Sequence, residues 1–343
     1  MAALRQSKIA FFEVEDWERN VFAERLADHQ LFFSHSVLDE SNVGQVSEAD
    51  VLSVFIHSMV SRRLIERMPN LRFIATRSTG FDHIDLLACQ ERGIVVSNVP
   101  YYGENTVAEH TFGLILSLSR NIHRAYMRTV RGDFTLQGLL GFDLKGKTLG
   151  VIGAGSIGLH VIRIAKGFGM NVLAYDVRQN RLLAEVLGFE YVPFEELLRR
   201  SDIISLHAPH TPETHHMINR ETIRLIKRGA LLINTARGAL VDTDALLEAL
   251  DEGILAGAGL DVLEGEELIK EERQLLAAVA VEDKLKALVR SHVLLRREDV
   301  VITPHIGFYS REALQRIVET TVANITGFLE GGPQNVVNPP TTA

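Results

Sequence analysis

The 343-residue sequence contains a single cysteine, Cys89. One thiol cannot build a disulfide framework or a Cys-based zinc cluster, so both are excluded. Positive charge is also in short supply: 36 Lys and Arg stand against 44 Asp and Glu, a formal net charge of −8. That balance lacks the basic face of a nucleic-acid binder. Long apolar runs are missing too. Leu114–Leu118 and Ala277–Val281 fall far short of the roughly 18 residues that cross a bilayer, so no membrane segment is expected. Acidic residues arrive by Glu13, before any apolar h-region, which predicts no secretion signal. With one thiol, the expected compartment is a reducing cytoplasm.

What is present is ordinary globular composition, 46% hydrophobic and 23% charged. At roughly 150 residues per domain, the length predicts two domains. Short apolar runs alternate with helix-length segments. The runs are Ile9–Phe12, Val51–Ile56, Phe73–Thr76, Val95–Ser97, Leu149–Ile152, Asn171–Tyr175, Ile203–Leu206, Ala230–Asn234, Gly257–Asp261 and Val300–Thr303. Several are continuously apolar, as in a parallel sheet covered on both faces, and the β, α, β, α order predicts α/β architecture. Two breaks interrupt it. Asn98–Asn105 opens a helix, with Thr106-Val-Ala-Glu109 fitting a capping box. That helix is apolar nearly all round, through Ala108, Phe112, Leu114, Ile115, Leu116, Leu118 and Ile122, which predicts burial in a core or a subunit interface. Thr303-Pro-His-Ile-Gly307 is the second break, before a final helix from Ser310 to Glu330.

Gly153, Gly155 and Gly158 form G-x-G-x-x-G directly after an apolar strand and before a helical pattern. The first glycine permits a tight turn, the second lets a pyrophosphate approach the backbone, and the third lets helix pack on strand. The next strand ends in Asp176, 176 − 158 = 18 residues after the last glycine, close to the spacing of a ribose-binding carboxylate. Like charge at Asp176 disfavours a 2′-phosphate, so the expected cofactor is NAD rather than NADP. The motif begins near the middle of the chain. The nucleotide domain is therefore expected to be inserted into a second domain assembled from both chain ends.

Three further segments follow predicted strands: Asn234-Thr-Ala-Arg237, Asp261-Val-Leu-Glu-Gly-Glu266 and Thr303-Pro-His305. An Arg, an acid and a His at strand ends can together bind and protonate a 2-oxo acid. Each also has a bland reading on its own: a strand-end Arg or acid is commonly a structural ion pair, and a lone His is usually a satisfied loop residue. His215-His216 invites a metal reading, but no acid or thiol stands at ligand spacing, so no metal is expected.

With Thr76–Asp85, Asn98–Tyr102, Thr106–His110, Gly150–Gly158, Ser205–Pro209, Thr214–Asn219, Ile233–Gly238, Leu260–Glu266 and Thr303–Gly307 in order, almost the whole chain resembles the NAD-dependent D-isomer-specific 2-hydroxyacid dehydrogenases. It is most similar to their lactate branch. The resemblance implies a Rossmann-type doubly wound parallel sheet (104–306) inserted into a smaller flavodoxin-like α/β substrate domain (1–103 and 307–343). It implies reversible hydride transfer between NADH and pyruvate. His305 would be the general acid/base, Glu266 the carboxylate that tunes it, and Arg237 the carboxylate binder. Ser78, Thr79 and Gly80 would hold the substrate carboxylate, with Tyr102 reaching the substrate. Besides the three glycines and Asp176, the cofactor would contact Ser156, Ile157, Ala208, Pro209, Thr214, Thr235, Ala236 and Asp261. The partner would be a small 2-oxo or 2-hydroxy acid, and the chain would form a homodimer through the helix after Thr106. Phe308-Tyr309 resembles the lactate branch. Gly103-Glu104 and Gly307 depart from the usual Ser-Pro and Ala and leave the side-chain preference open. Other 2-oxo acids, and a non-catalytic NAD-sensing binder of the corepressor type, remain as alternatives.

Overall fold

The computed structural model describes residues 6–265 and 292–339. The chain divides into two compact units, Met1–Tyr102 with Ser310–Ala343, and Gly103–Tyr309.

In the first unit, β1 (Lys8–Phe11), α1 (Asp16–Arg25), β2 (Gln30–Phe33), β3 (Val51–Val54), α2 (Arg62–Glu66), β4 (Phe73–Thr76), α3 (Leu86–Glu91) and β5 (Val95–Ser97) follow in turn. These five strands pair with one another in parallel, in the order β2-β1-β3-β4-β5, the flavodoxin-like order. Alternation along β1 sends Ile9 and Phe11 to one face and Ala10 and Phe12 to the other. Ile9 and Phe11 pack with Phe22 of α1 and with Val318, Val322 and Ile325 of the C-terminal helix (Arg311–Leu329). Ala10 and Phe12 pack with Leu64, Ile65 and Ala88 of α2 and α3. Both faces are covered, which is why β3 and β4 are buried at every residue. The C-terminal helix starts where the sequence predicts, with the Ser310 hydroxyl accepting from Ala313 N.

The second unit runs α4 (Glu104–Ser119), α5 (Ile122–Val130), β6 (Thr148–Ile152), α6 (Ser156–Gly167), β7 (Asn171–Tyr175), α7 (Arg181–Leu187), β8 (Glu190–Tyr191), α8 (Phe194–Arg200), β9 (Ile203–Leu206), β10 (Ala230–Asn234), α9 (Thr243–Asp251), β11 (Leu255–Leu260) and β12 (Val300–Ile302). Its parallel sheet is ordered β12-β11-β10-β9-β6-β7-β8. Strand order reverses between β6 and β9, the doubly wound Rossmann pattern.

Two local expectations need correction. Thr106 does not cap α4. The helix starts at Glu104 behind Gly103, and Asn105 Nδ2 donates to Glu109 Oε1 at 3.2 Å, so that carboxylate is engaged by a side chain one turn back. The apolar residues of α4 are spent on the unit's own core: Ala108, Phe112, Leu114, Ile115 and Leu118 are all buried in one cluster with β6, α6 and β7. Glycines in β11 let α4 come close, since a Cβ on Gly259 would lie 3.0 Å from Leu114 Cβ. Ile122 does not continue the stripe. Asn121, at φ +52°, breaks the helix, and Ile122 starts α5 on the surface.

Candidate active site

At the C-terminal edge of the second sheet, the three motif glycines do three different things. Gly153 sits at φ +94°, and a Cβ there would lie 2.7 Å from Ala208 N and His207 C. The turn after β6 therefore presses directly against the end of β9. Gly155 precedes α6 and faces open space, with nothing within 4 Å of the position of a Cβ. A Cβ on Gly158 would stand 2.0 Å from Gly153 O, so helix and turn touch backbone to backbone. Ser156 and Ile157 form the first turn of α6, where free N–H groups and the helix dipole favour an anion. Asp176, just past β7, accepts from Ala154 N at 2.7 Å and from Arg178 N at 2.8 Å, which fixes its carboxylate beside the glycine turn. A pyrophosphate and a ribose hydroxyl fit this donor and acceptor set.

His207, after β9, shares a hydrogen bond between Nε2 and Ser205 Oγ at 2.8 Å, while its buried Nδ1 has no partner among the described residues. Burial pushes its pKa down to about 3, so the ring stays neutral. Pro209 and Thr214 lie in the loop beyond it, where Thr214 Oγ1 donates to Pro209 O at 2.7 Å.

Adjacent strands β10, β11 and β12 carry Arg237, Asp261 and His305 in the loops after their C-terminal ends. Buried Asn234 brackets the first loop. Its Nδ2 donates to Arg237 O at 2.9 Å and its Oδ1 accepts from Ala236 N at 3.0 Å. Thr235 shares a 3.0 Å hydroxyl contact with Thr111 of α4. Gly238 then admits the next loop, since a Cβ would meet Leu263 O at 2.2 Å. That loop is tied down by Glu264, which bonds His216 Nε2 at 2.6 Å and Thr243 Oγ1 at 3.0 Å.

Buried Asp261 organises the histidine loop. Its carboxylate accepts from Thr303 Oγ1 at 2.5 Å, Ile306 N at 2.9 Å and Gly307 N at 2.8 Å, and its backbone oxygen accepts from His305 N at 2.9 Å. His110 Nε2 of α4 lies 3.3 Å from the same carboxylate. Burial works against its ionisation, but the bonds from His110, Thr303 and Gly307 together outweigh it and hold the carboxyl below the usual range. These contacts keep His305 at φ +56°, an uncommon conformation for a side chain of this kind. Gly307 fits because a Cβ there would lie 2.8 Å from Asp261 Oδ2. Glu266, the third acid of its cluster, and the stretch 268–276 lie outside the described residues, as does most of 281–295.

In the first unit, Ser78, Thr79 and Gly80 follow β4. Ser78 is buried and donates from Oγ to Gly80 O at 2.6 Å. Thr79 is pinned to the turn after β5, through its own Oγ1 to Val99 O at 2.9 Å and Asn98 Nδ2 to Thr79 O at 2.8 Å. Tyr102 is half-buried, and its carbonyl accepts from Arg316 Nη1 of the C-terminal helix at 2.6 Å.

Sequence reasoning missed the supporting residues: Asn234, His110, the His216–Glu264 pair and, in the first unit, Arg77 and Glu13. All but Glu13 lie inside the stretches that carry the family resemblance, but spacing gave them no role: Asn234 bonds close by, to Ala236 and Arg237, and the partners of the others lie far along the chain. His215 and His216 stack at 4.0 Å, yet no group of three or more metal-ligating side chains exists among the described residues.

A family model described as D-isomer specific 2-hydroxyacid dehydrogenase, NAD binding domain, matches residues 112–307. A 2-hydroxyacid dehydrogenase homolog of Haemophilus influenzae is 39% identical over 97% of this chain and 99% of its own. An aromatic 2-oxoacid reductase of Clostridium sporogenes is 41% identical over 83% of this chain and 85% of its own. Among solved structures, D-lactate dehydrogenase from Aquifex aeolicus, complexed with NAD and lactic acid, superposes with a TM-score of 0.88. It is 40% identical, covering 97% of this chain and 100% of that one.

Proposed function

Because the chain belongs to the D-isomer-specific 2-hydroxyacid dehydrogenase family and carries its NAD-binding domain, we propose that it reduces pyruvate to D-lactate with NADH and catalyses the reverse oxidation. The observation that carries this reading is the placement of Arg237, Asp261 and His305 after three adjacent strands, with Asp261 fixing the loop that bears the histidine. Bound NADH supplies the hydride. His305 supplies the proton to the developing alkoxide oxygen, and takes it back in the oxidative direction. Arg237 presents a planar fork to the substrate carboxylate. Ser78, Thr79 and Gly80 supply N–H groups to the same carboxylate, Tyr102 reaches the substrate, and Glu266 tunes His305. Asp176 receives the ribose hydroxyls and repels a 2′-phosphate. Residues 1–103 and 307–343 serve as the substrate domain and 104–306 as the nucleotide domain.

The similarity to a D-lactate dehydrogenase over the full chain supports pyruvate as substrate. An aromatic 2-oxo acid is the second reading, supported by the 41% identity to a reductase of that class. The test is initial rates with NADH on pyruvate, hydroxypyruvate, glyoxylate and phenylpyruvate, repeated with NADPH. The highest kcat/KM belongs to pyruvate with NADH; a preference for phenylpyruvate would favour the second reading.

We also propose that the chain forms a homodimer through the helix after Thr106 and, since the apolar residues of α4 are largely buried, through the exposed apolar residues that follow it. Ile122, Tyr126 and Val130 line one stripe of α5, and Phe134, Leu136 and Leu140 beyond it are 77%, 85% and 95% exposed. An apolar surface of this kind marks an interaction site. Light scattering at the dimer mass is the expected result, with a monomer refuting it. The cytoplasm suits the one thiol: Cys89 is buried, and burial pushes its pKa up to about 12, so it is kept from thiolate chemistry.

A further inference from the structure

The first sheet reverses its strand order between β1 and β3. In an open α/β sheet that crevice, outside the strand ends, is where a ligand binds. Here it is filled by the chain itself. Glu13, two residues past β1, turns its carboxylate into the loop after β3. Oε2 accepts from Phe55 N and Ser58 N, both at 3.1 Å, and from Ser58 Oγ at 2.5 Å, while Oε1 accepts from His57 N at 2.9 Å. Backbone N–H groups converging on one point form an anion-binding nest. Glu13 itself stands at φ +56°, a conformation that glycine takes more readily. Beneath it, with its Nε 3.7 Å from Oε1 of buried Glu18, lies the fully buried Arg77. Its Nη2 donates to Phe12 O at 2.7 Å and Glu13 O at 2.6 Å, and its Nη1 donates to Ser53 Oγ at 3.1 Å.

The loop held this way adjoins the one proposed to hold the substrate carboxylate. Arg77 N donates to Val54 O at 2.9 Å, the Arg77 guanidinium lies over the Phe55 ring at 5.9 Å, and Val60 N donates to His83 O at 2.8 Å. Arg77 itself directly precedes Ser78, Thr79 and Gly80.

We propose that Glu13 is a built-in anion that locks the 55–58 loop against the Ser78–Gly80 loop, and so is a positioning residue for binding of the 2-oxo acid. The proposal rests on the reading of residues 78–80 given above. Loss of the carboxylate frees the donors of 55–58 and loosens the neighbouring loop, which raises KM more than it lowers kcat.

The test compares wild type, Glu13→Gln and Glu13→Gly, the last of which also relieves the left-handed backbone. For each, KM and kcat for the 2-oxo acid, NADH affinity and Tm are measured with and without formate, a small carboxylate that fits a vacated nest. Expected is a KM raised about 10-fold or more in both variants, with kcat and NADH affinity changed less than about 3-fold. Formate is expected to raise the Tm of Glu13→Gly and lower its KM, with neither effect in wild type. A KM unchanged in Glu13→Gln, or a Glu13→Gly protein indifferent to formate in both Tm and KM, overturns the proposal. If Glu13→Gly does not fold, the KM of Glu13→Gln decides. Wild type that binds NADH but turns over no 2-oxo acid overturns the functional reading and the substrate role of Glu13 with it, while the formate-dependent Tm still reports on the nest.

Discussion

The two parallel sheets pose the same geometric problem and answer it differently. Each reverses its strand order once, between β1 and β3 in the first unit and between β6 and β9 in the second, and each reversal opens a crevice at the strand ends. In the second unit the crevice is made by taking side chains away: Gly153 presses on β9, Gly158 on the turn, and Gly155 leaves space. In the first unit a side chain is added, and Glu13 occupies the donors that would otherwise hold an anion. A family of folds that binds ligands at one kind of place can thus keep one such place for the cofactor and convert another into a strut. Which happens is decided by single residues after the first strand of each sheet.

Chemistry on the open side gives the largest expected effect. His305→Gln lowers kcat by about 10²- to 10⁴-fold, the usual contribution of a general acid, and leaves NADH affinity within about 2-fold. Rapid-mixing turnover alongside an NADH titration checks this, and near-normal turnover removes His305 from its role. Next come the glycines themselves. Gly158→Ala puts a methyl 2.0 Å from Gly153 O and is expected to cost about 3 kcal/mol of stability in urea denaturation. Arg237→Lys keeps the charge but loses the bidentate fork, and a rise in KM with a fall in kcat, together about 10- to 100-fold in kcat/KM, is the expected outcome. Gly155→Ala has room for its methyl and is expected to fold with nearly unchanged stability, yet to weaken NADH about 10-fold, because the methyl would stand where a bound pyrophosphate would approach the backbone. Equal stability losses at Gly155 and Gly158 would blur the division of labour between them.

The last effect is a pH dependence. The folded pKa of His207 is about 3, against about 6.5 in an unfolded chain. Between those values the unfolded state binds a proton that the folded state does not, so stability is full above pH ~6.5 and falls as the pH drops below it. The slope from this group approaches about 1.4 kcal/mol per pH unit at most, and His207→Gln should flatten the urea-midpoint profile between pH 7 and 5. An unchanged profile would mean that the ring is solvated.

Much of the fold was legible because the central strands are written as unbroken apolar runs. Phe73–Thr76, Asn171–Tyr175, Ile203–Leu206 and Ala230–Asn234 are strands over the residues expected, each being covered on both faces or nearly so. The two strands that escaped notice, β2 and β8, are both at sheet edges and short: β8 is two residues, and the apolar part of β2 is only Leu31-Phe32-Phe33, half-exposed. The length of α4 was misjudged for a different reason. Ile122 continues a helical stripe in the sequence, but Asn121 takes the left-handed conformation and breaks it. At the site, spacing made the glycines and Asp176 readable, and recurrent motifs made Arg237 and His305 readable. Spacing could not show that the Asp261 carboxylate reaches Gly307, 46 residues away, or that Glu13 reaches Ser58, 45 residues away. Those contacts exist only once parallel crossovers bring strand ends side by side.

The most direct test of the central claim is the handedness of the product. NADH and pyruvate are incubated with the protein, and the lactate formed is resolved on a chiral column. D-lactate in amounts matching the NADH consumed is the predicted result; L-lactate, or no lactate from a protein that binds NADH, would contradict the account.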